Sequence, residues 1–274
     1  MLHDCTVPFS SGLSSSAAIE VSTIAALATL AGETIDRVDV ALKAQQAERE
    51  YAGVNCGIMD QFASACGKKD SVMLLDCNTL DCEYLPLKLG DCSLVITNCN
   101  KPHSLVESKY NERRAETDEA LKLLQQRFDI RCLADLSALQ DKSYLNILPV
   151  PLKRRVEHVV SECERVRCAA IALRVGDTEM LDRLLNASHK SLKELYEVTG
   201  REPDALAEAA QSQPCCLGSR LIGGGFGGCT ISLVKSGSVD GFKENVYNSY
   251  FKATGYKAEF YETEISDGIV VEKC

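Results

Sequence analysis

Residues 8–18 read P-F-S-S-G-L-S-S-S-A-A, and an apolar segment, I-E-V-S-T-I-A-A-L-A-T-L, follows at once. A run of small residues opening a helix constrains what can lie at that end. Gly12 admits backbone angles that residues with a side chain resist. The first N–H groups of a helix have no partner inside it, and the helix dipole makes that end positive. Together they form an anion site. Ser14, Ser15 and Ser16 add hydroxyls suited to phosphate oxygens or a magnesium ion. On its own the run also reads as a serine-rich helix cap. Two further motifs shift the balance towards phosphate.

The chain has 274 residues, enough for one large domain or two of ordinary size. It is 45% hydrophobic and 25% charged, an ordinary globular composition. A formal net charge of −9 and a pI of about 5.1 argue against nucleic acid or an anionic membrane as the main partner. A nucleotide can still bind such a protein, because backbone N–H groups and magnesium supply local positive potential. The 14 cysteines include no CxxC pair, and no histidine stands at zinc-finger spacing. The opening M-L-H-D-C-T-V is too polar and short for a secretory signal, so reduced thiols and a cytoplasmic location are expected. The longest apolar stretch, within 19–31, is too short and polar to span a bilayer.

Periodicity predicts an apolar helix over 19–30, ended by Gly32 and buried between layers because it is apolar all round. Thr34 or Asp36 caps a second helix reaching about residue 51, and a third covers 58–66. Strands are expected at 71–76, 82–87 and 94–98. Long helices follow over 103–128, 149–174 and 178–198, then a strand C-T-I-S-L-V, a helix capped by Asp240, and a strand over 257–263. The class is α+β in two lobes, 1–90 and 91–274.

Gly223, Gly224, Gly225, Phe226, Gly227 and Gly228 formally match G-x-G-x-x-G. The dinucleotide fingerprint follows a strand and opens a helix, whereas a strand-like segment follows here, so the context fails. The loop is either a flexible turn or backbone packed closely on another loop or a phosphate. No G-x-x-x-x-G-K-[ST] run occurs, which excludes a P-loop enzyme. The third motif is A-E-R-E-Y-A-G-V-N-C-G-I-M-D-Q-F over 47–62. Glu48 ends one helix, and Asp60 begins the next, just after Gly57. A carboxylate at a helix start reads either as a structural cap or as an ionised group beside a substrate hydroxyl. In the second case Glu48 offers oxygen to magnesium, which takes one or two carboxylates plus phosphate oxygens and water.

In combination these segments resemble the galactokinase family of the GHMP small-molecule kinase superfamily. G-L-S-S-S-A-A resembles its second motif, 47–62 the segment bearing its catalytic Asp, and G-S-R-L-I-G-G-G-F-G-G-C its third. L-V-I-T-N-C-N-K-P-H-S-L-V-E-S-K-Y-N-E-R-R, at 94–114, is also similar. The resemblance implies a two-lobed GHMP kinase fold that transfers phosphate from ATP to the anomeric hydroxyl of galactose. It implies Asp60 as the catalytic group and Ser11, Gly12, Leu13, Ser14, Ser15 and Ser16 around the nucleotide. It places Ser16 and Glu48 on Mg2+, and Gly57, Asp60 and Tyr110 at the sugar. The 223–228 loop is then expected near the phosphate loop.

The family's first motif, G-R-V-N-L-I-G-E-H-T-D-Y, has no counterpart in these residues, and His3-Asp4 is no substitute. The resemblance therefore implies a truncated N-terminal lobe and impaired activity of the chain alone. It also implies association through apolar surface at Ile58, Phe62 and 72–75. A non-catalytic sensor or interaction protein on the same fold, and kinases for N-acetylgalactosamine or arabinose, remain alternatives at this point.

Overall fold

The computed structural model describes residues 2–9, 11–101 and 106–272, with backbone alone over 106–108. The chain is α+β and divides into two units, Met1–Lys88 with Thr263–Cys274, and Leu89–Glu262. The tail thus leaves the expected second lobe, 91–274, and joins the first.

Three helices build the first unit. They are α1 (Ser15–Leu30), α2 (Arg37–Ala47) and α3 (Met59–Cys66). Asp36 caps α2, its carboxylate accepting from the N–H groups of Val38 and Asp39. Over Glu48–Ala52 the same helix widens to i→i+5 bonding, and left-handed Gly53 (φ 71°) ends it. A hairpin follows, β1 (Ser71–Leu75) with β2 (Cys82–Pro86), and Asp76 closes its turn by accepting from the Asn78 and Thr79 N–H groups.

The core of this unit joins Val21 of α1, Val40, Ala41 and Ala44 of α2, and Ile58, Phe62 and Ala65 around α3. The expected apolar scar at Ile58 and Phe62 is therefore absent: they are only 4% and 2% exposed, covered by α1 and α2. The hairpin residues 72–75 are half-buried. Apolar exposure falls instead on α1. That helix buries only Ala17, Val21 and Ala25, while Leu27 and Leu30 are exposed, so the expectation of burial all round was wrong. One helix face suffices to meet α2 and α3.

The tail is fastened to the end of α3. Gly268 N–H donates to Gly67 O at 2.8 Å, Ile269 N–H to Ala65 O at 3.2 Å, and Arg37 to Ile269 O at 2.9 Å. A Cβ at Gly268 would lie 2.5 Å from Ala65 O, so only glycine allows this approach.

The second unit carries an antiparallel sheet in the order β4-β5-β3-β6, formed by Cys216–Leu221, Cys229–Lys235, Cys92–Asn98 and Glu259–Glu262. Two cores hold its helices together. Against the sheet, α7 (Arg201–Gln211) and α8 (Val239–Thr254) bury Leu206, Phe242, Val246 and Tyr250 on Val95 and Val234. The Tyr250 hydroxyl donates to Cys99 O at 2.7 Å. The other core lies between α4 (Val106–Gln125) and α5 (Val150–Val175), around Leu124, Tyr144 and Val156. The expected start of α4 at His103 lies outside the described residues.

Helix α6 (Thr178–Ser191) is capped by Asp177, which accepts from Met180 N–H, and it widens over Leu192–Tyr196. Ser238, not Asp240, precedes α8; Asp240 sits in its first turn, where a carboxylate favours the helix dipole without capping.

Candidate functional site

In the first unit the serine-rich loop is wound tightly. Gly12 (φ 73°) and Ser14 (φ 59°) are both left-handed. Buried Ser11 closes the loop by donating its hydroxyl to Pro8 O at 2.7 Å. Leu13 and Ser15 are half-buried, and Ser16 is exposed on the first turn of α1. Ser14 occupies the N-cap position, yet its side chain caps nothing. Its Oγ instead donates to Asp60 Oδ2 at 2.6 Å. That length is typical of an O–H bond to a charged acceptor. The positive end of α1 carries neither a side-chain cap nor an acid in its first turn, which leaves it open to an anion.

Asp60 is the second residue of α3, half-buried, and makes no cap to its own helix. The structural-cap reading of this carboxylate therefore does not hold; it accepts from Ser14 instead. Gly57 lies two residues before α3. Arg49 fixes this loop by donating Nε and Nη2 to Cys56 O at 3.0 and 2.6 Å, and Gln45 adds a bond at 3.3 Å. Gly57 itself faces open space, with nothing within 4 Å of where a Cβ would be.

Sequence reasoning missed a carboxylate. Glu20 stands on α1 one turn after Ser16, and its carboxyl meets that of Glu48 at the end of α2. Burial, and then the Glu48 hydrogen bond and charge, push the Glu20 carboxyl up to about 7. Gln61, 2% exposed, donates Nε2 to Glu20 Oε2 at 3.4 Å. Glu48 Oε2 and Gln61 Oε1 are buried without a hydrogen-bond partner. The available signal was that Glu20 is the lone charge in the apolar run 19–30.

Among the described residues no group of three or more His, Cys, Asp or Glu is placed to hold a metal. The donors around Glu48 nonetheless suit magnesium. It accepts one or two carboxylates when phosphate and water complete its shell, and an unpartnered buried carboxylate oxygen is costly without a cation.

In the second unit the glycine loop joins β4 to β5. Gly223, Gly225, Gly227 and Gly228 all have positive φ, as does Phe226 (61°). Phe226 N–H donates to Val198 O at 2.6 Å. A Cβ on Gly225 would fall 2.9 Å from Val198 Cβ and closer still to its carbonyl oxygen. A Cβ on Gly224 would lie 3.1 Å from the Tyr110 ring. Of the two readings left open above, close packing on another loop is what this unit shows. Lys109 lies over the Phe226 ring, 5.5 Å from its centroid. Tyr110 belongs to α4 of this unit and is half-buried.

Two family profiles match the chain. They are the GHMP kinases N terminal domain over residues 2–68 and the GHMP kinases C terminal over 169–253. A galactokinase of Lactobacillus helveticus is 49% identical over 267 residues, covering 97% of this chain and 69% of that protein. The chain belongs to the galactokinase family. A galactokinase of Clostridium perfringens is similar at 46% over 263 residues, covering 96% of this chain and 68% of that protein. The crystal structure of Lactococcus lactis galactokinase complexed with galactose superposes with a TM-score of 0.91 at 43% identity, over 96% of this chain and 68% of that one. A homoserine kinase from Cytophaga hutchinsonii, at 18% identity and a TM-score of 0.61, shares the fold alone. The galactokinase-family chain is thus a kinase by descent. Among its described residues no helix is long and apolar enough to cross a membrane.

Proposed function

We propose that this chain transfers the terminal phosphoryl group of ATP to the anomeric hydroxyl of galactose, giving galactose 1-phosphate and ADP. The observation that carries the reading is the 2.6 Å bond from Ser14 to Asp60, which ties the anion-receptive loop to the carboxylate. Its support from relatives is the galactokinase from Lactobacillus helveticus and the galactose complex from Lactococcus lactis.

Phosphoryl transfer depends on in-line positioning and charge neutralisation more than on covalent chemistry. In this reading residues 11–16 and the open N–H groups of α1 receive the nucleotide phosphates. Ser14 holds Asp60 by Oδ2 and leaves Oδ1 to accept from the sugar hydroxyl, orienting it and taking its proton as the bond to phosphorus forms. Gly57, with open space beside it, lines the sugar in the first unit. Ser16 and Glu48 would hold magnesium, which when bound neutralises charge on the phosphate oxygens.

The test is galactose 1-phosphate formation with Mg-ATP. It is run on the chain alone and with the amino-terminal segment of the Lactobacillus helveticus relative supplied in trans. Product is expected in at least the second arm, with Asp60→Asn removing most of it while ATP binding stays. Absence of product in both arms, or full turnover by Asp60→Asn, overturns the reading.

A further inference from the structure

Glu20 is hard to account for as a fold residue. It interrupts an otherwise apolar segment of α1, and a half-buried carboxyl facing a like charge costs free energy unless something rewards it. Its neighbours offer no counter-charge. They are the like-charged carboxyl of Glu48 and the neutral carboxamide of Gln61. Among the described residues no lysine, arginine or histidine pairs with Glu20 or Glu48. The carboxamide is 98% buried by its 2% exposure, donates to Glu20, and leaves Oε1 without a partner. Glu48 Oε2 is equally unpartnered. Ser16 and Glu20 are four residues apart on α1 and so share one face. Three helices thus bring the side chains of Glu20, Glu48 and Gln61 together, and the arrangement lacks only positive charge.

We propose that Glu20 is a further residue of the divalent-cation site, a second carboxylate facing Glu48, with Gln61 aiming it and offering Oε1 as a neutral oxygen. This deepens the proposed kinase reading and rests on it. Magnesium accepts two carboxylates, so the set stays within its usual limits once phosphate oxygens and water are added.

The experiment titrates the full chain with Mn2+ in the presence of ADP, reading free Mn2+ by electron paramagnetic resonance, so no turnover is needed. Glu20→Gln keeps size and hydrogen bonding but removes the charge. It is expected to weaken Mn2+ binding about tenfold or more, with ADP affinity in EDTA unchanged. Melting in EDTA should not fall, because a carboxyl–carboxyl contact has been relieved. Gln61→Met, which removes both amide atoms at similar volume, is expected to weaken Mn2+ several-fold; it decides the matter if Glu20→Gln does not fold. Glu48→Gln serves as the reference. Loss with Glu48→Gln but wild-type affinity in the other two variants overturns the role of Glu20 and leaves the kinase reading standing. Wild-type affinity in all three overturns both.

Discussion

Replacing Ser14 by alanine isolates the bond that links the loop to the carboxylate. The structure makes this a clean perturbation. Ser14 sits at the N-cap of α1, where losing a capping hydroxyl ordinarily costs about 1 kcal/mol. Here the side chain caps nothing, so that term does not arise. Its φ of 59° is a strain that both residues share, since each has a Cβ. What is lost is the 2.6 Å O–H bond to Asp60 Oδ2. A hydrogen bond to a charged group contributes about 1.5–3 kcal/mol. If that bond holds Asp60 in the reactive orientation, kcat should fall about 10- to 150-fold at 1.4 kcal/mol per decade.

The assay is ADP release at saturating galactose and ATP, on wild type, Ser14→Ala, Asp60→Asn and the double variant. Because the hydroxyl is argued to act through the carboxylate, Ser14→Ala should cost less than about threefold in the Asp60→Asn background, the non-additivity expected of coupled partners. Two results refute the reasoning. One is an equal loss in both backgrounds. The other is an unchanged kcat with a raised KM for ATP, which would mean that Ser14 serves the phosphates and not Asp60.

Three further outcomes are expected. Gly225→Ala should destabilise the protein by about 2–5 kcal/mol, from a left-handed φ of 86° and overlap with Val198; urea unfolding reads this, with Gly237→Ala, which faces open space, as the control. Gly57→Ala should leave stability within about 0.5 kcal/mol, because nothing lies within 4 Å of the new methyl, yet raise KM for galactose; an unchanged KM removes Gly57 from the sugar site. His158, buried and stacked on Tyr196, accepts or donates at Ser191 and has its imidazolium form suppressed by burial, to a pKa of about 4 from 6.5. The unfolded chain therefore takes the proton first as pH falls, so stability is lost between about pH 6.5 and 4, by about 3 kcal/mol in full. Unfolding of wild type and His158→Gln at several pH values checks this, and a constant difference between them across that window would falsify it.

Much of the first unit was legible because its signals are local. Asp36 at the head of α2, Gly53 at its end and the alternating hairpin act over a few residues, and each appears where its chemistry requires. The elements that escaped depend on contacts far away in sequence. Strand β4 reads C-L-G-S-R-L, with no alternation. It forms because it pairs with β5 and because Gly218 (φ 133°) lets Asp182 of α6 approach to 3.0 Å of the absent Cβ. Helix α7 was hidden by Pro203, which is tolerated because it lies in the first turn. The tail 263–272 has no periodicity at all; it is fixed by backbone bonds of Gly268 and Ile269 to the end of α3, by Arg37 and by Asp267 accepting from Lys69 N–H.

The same distinction governs the site. Residue types announced the chemistry: a glycine and serines at a helix start, an aspartate at another, a glutamate at the end of a third. Their pairing did not follow, because Ser14 and Asp60 are 46 residues apart and Gln61 and Glu20 are 41 apart. Those distances are closed by the apolar contact of α1, α2 and α3 through Val21, Ala44, Ile58, Phe62 and Ala65. Such a core fixes helices to within a side chain's reach, since interiors are close-packed and shift little. The buried polar groups then follow the helices that carry them. Gln61 is turned inward because its neighbour Phe62 fills the core and Asp60, on its other side, meets the loop. A carboxyl placed at position 20 consequently arrives opposite Glu48 whether or not the contact stabilises the fold. That an otherwise apolar run carries an acid there, facing Glu48 and Gln61, is the physical reason to assign Glu20 to the chemistry of the site.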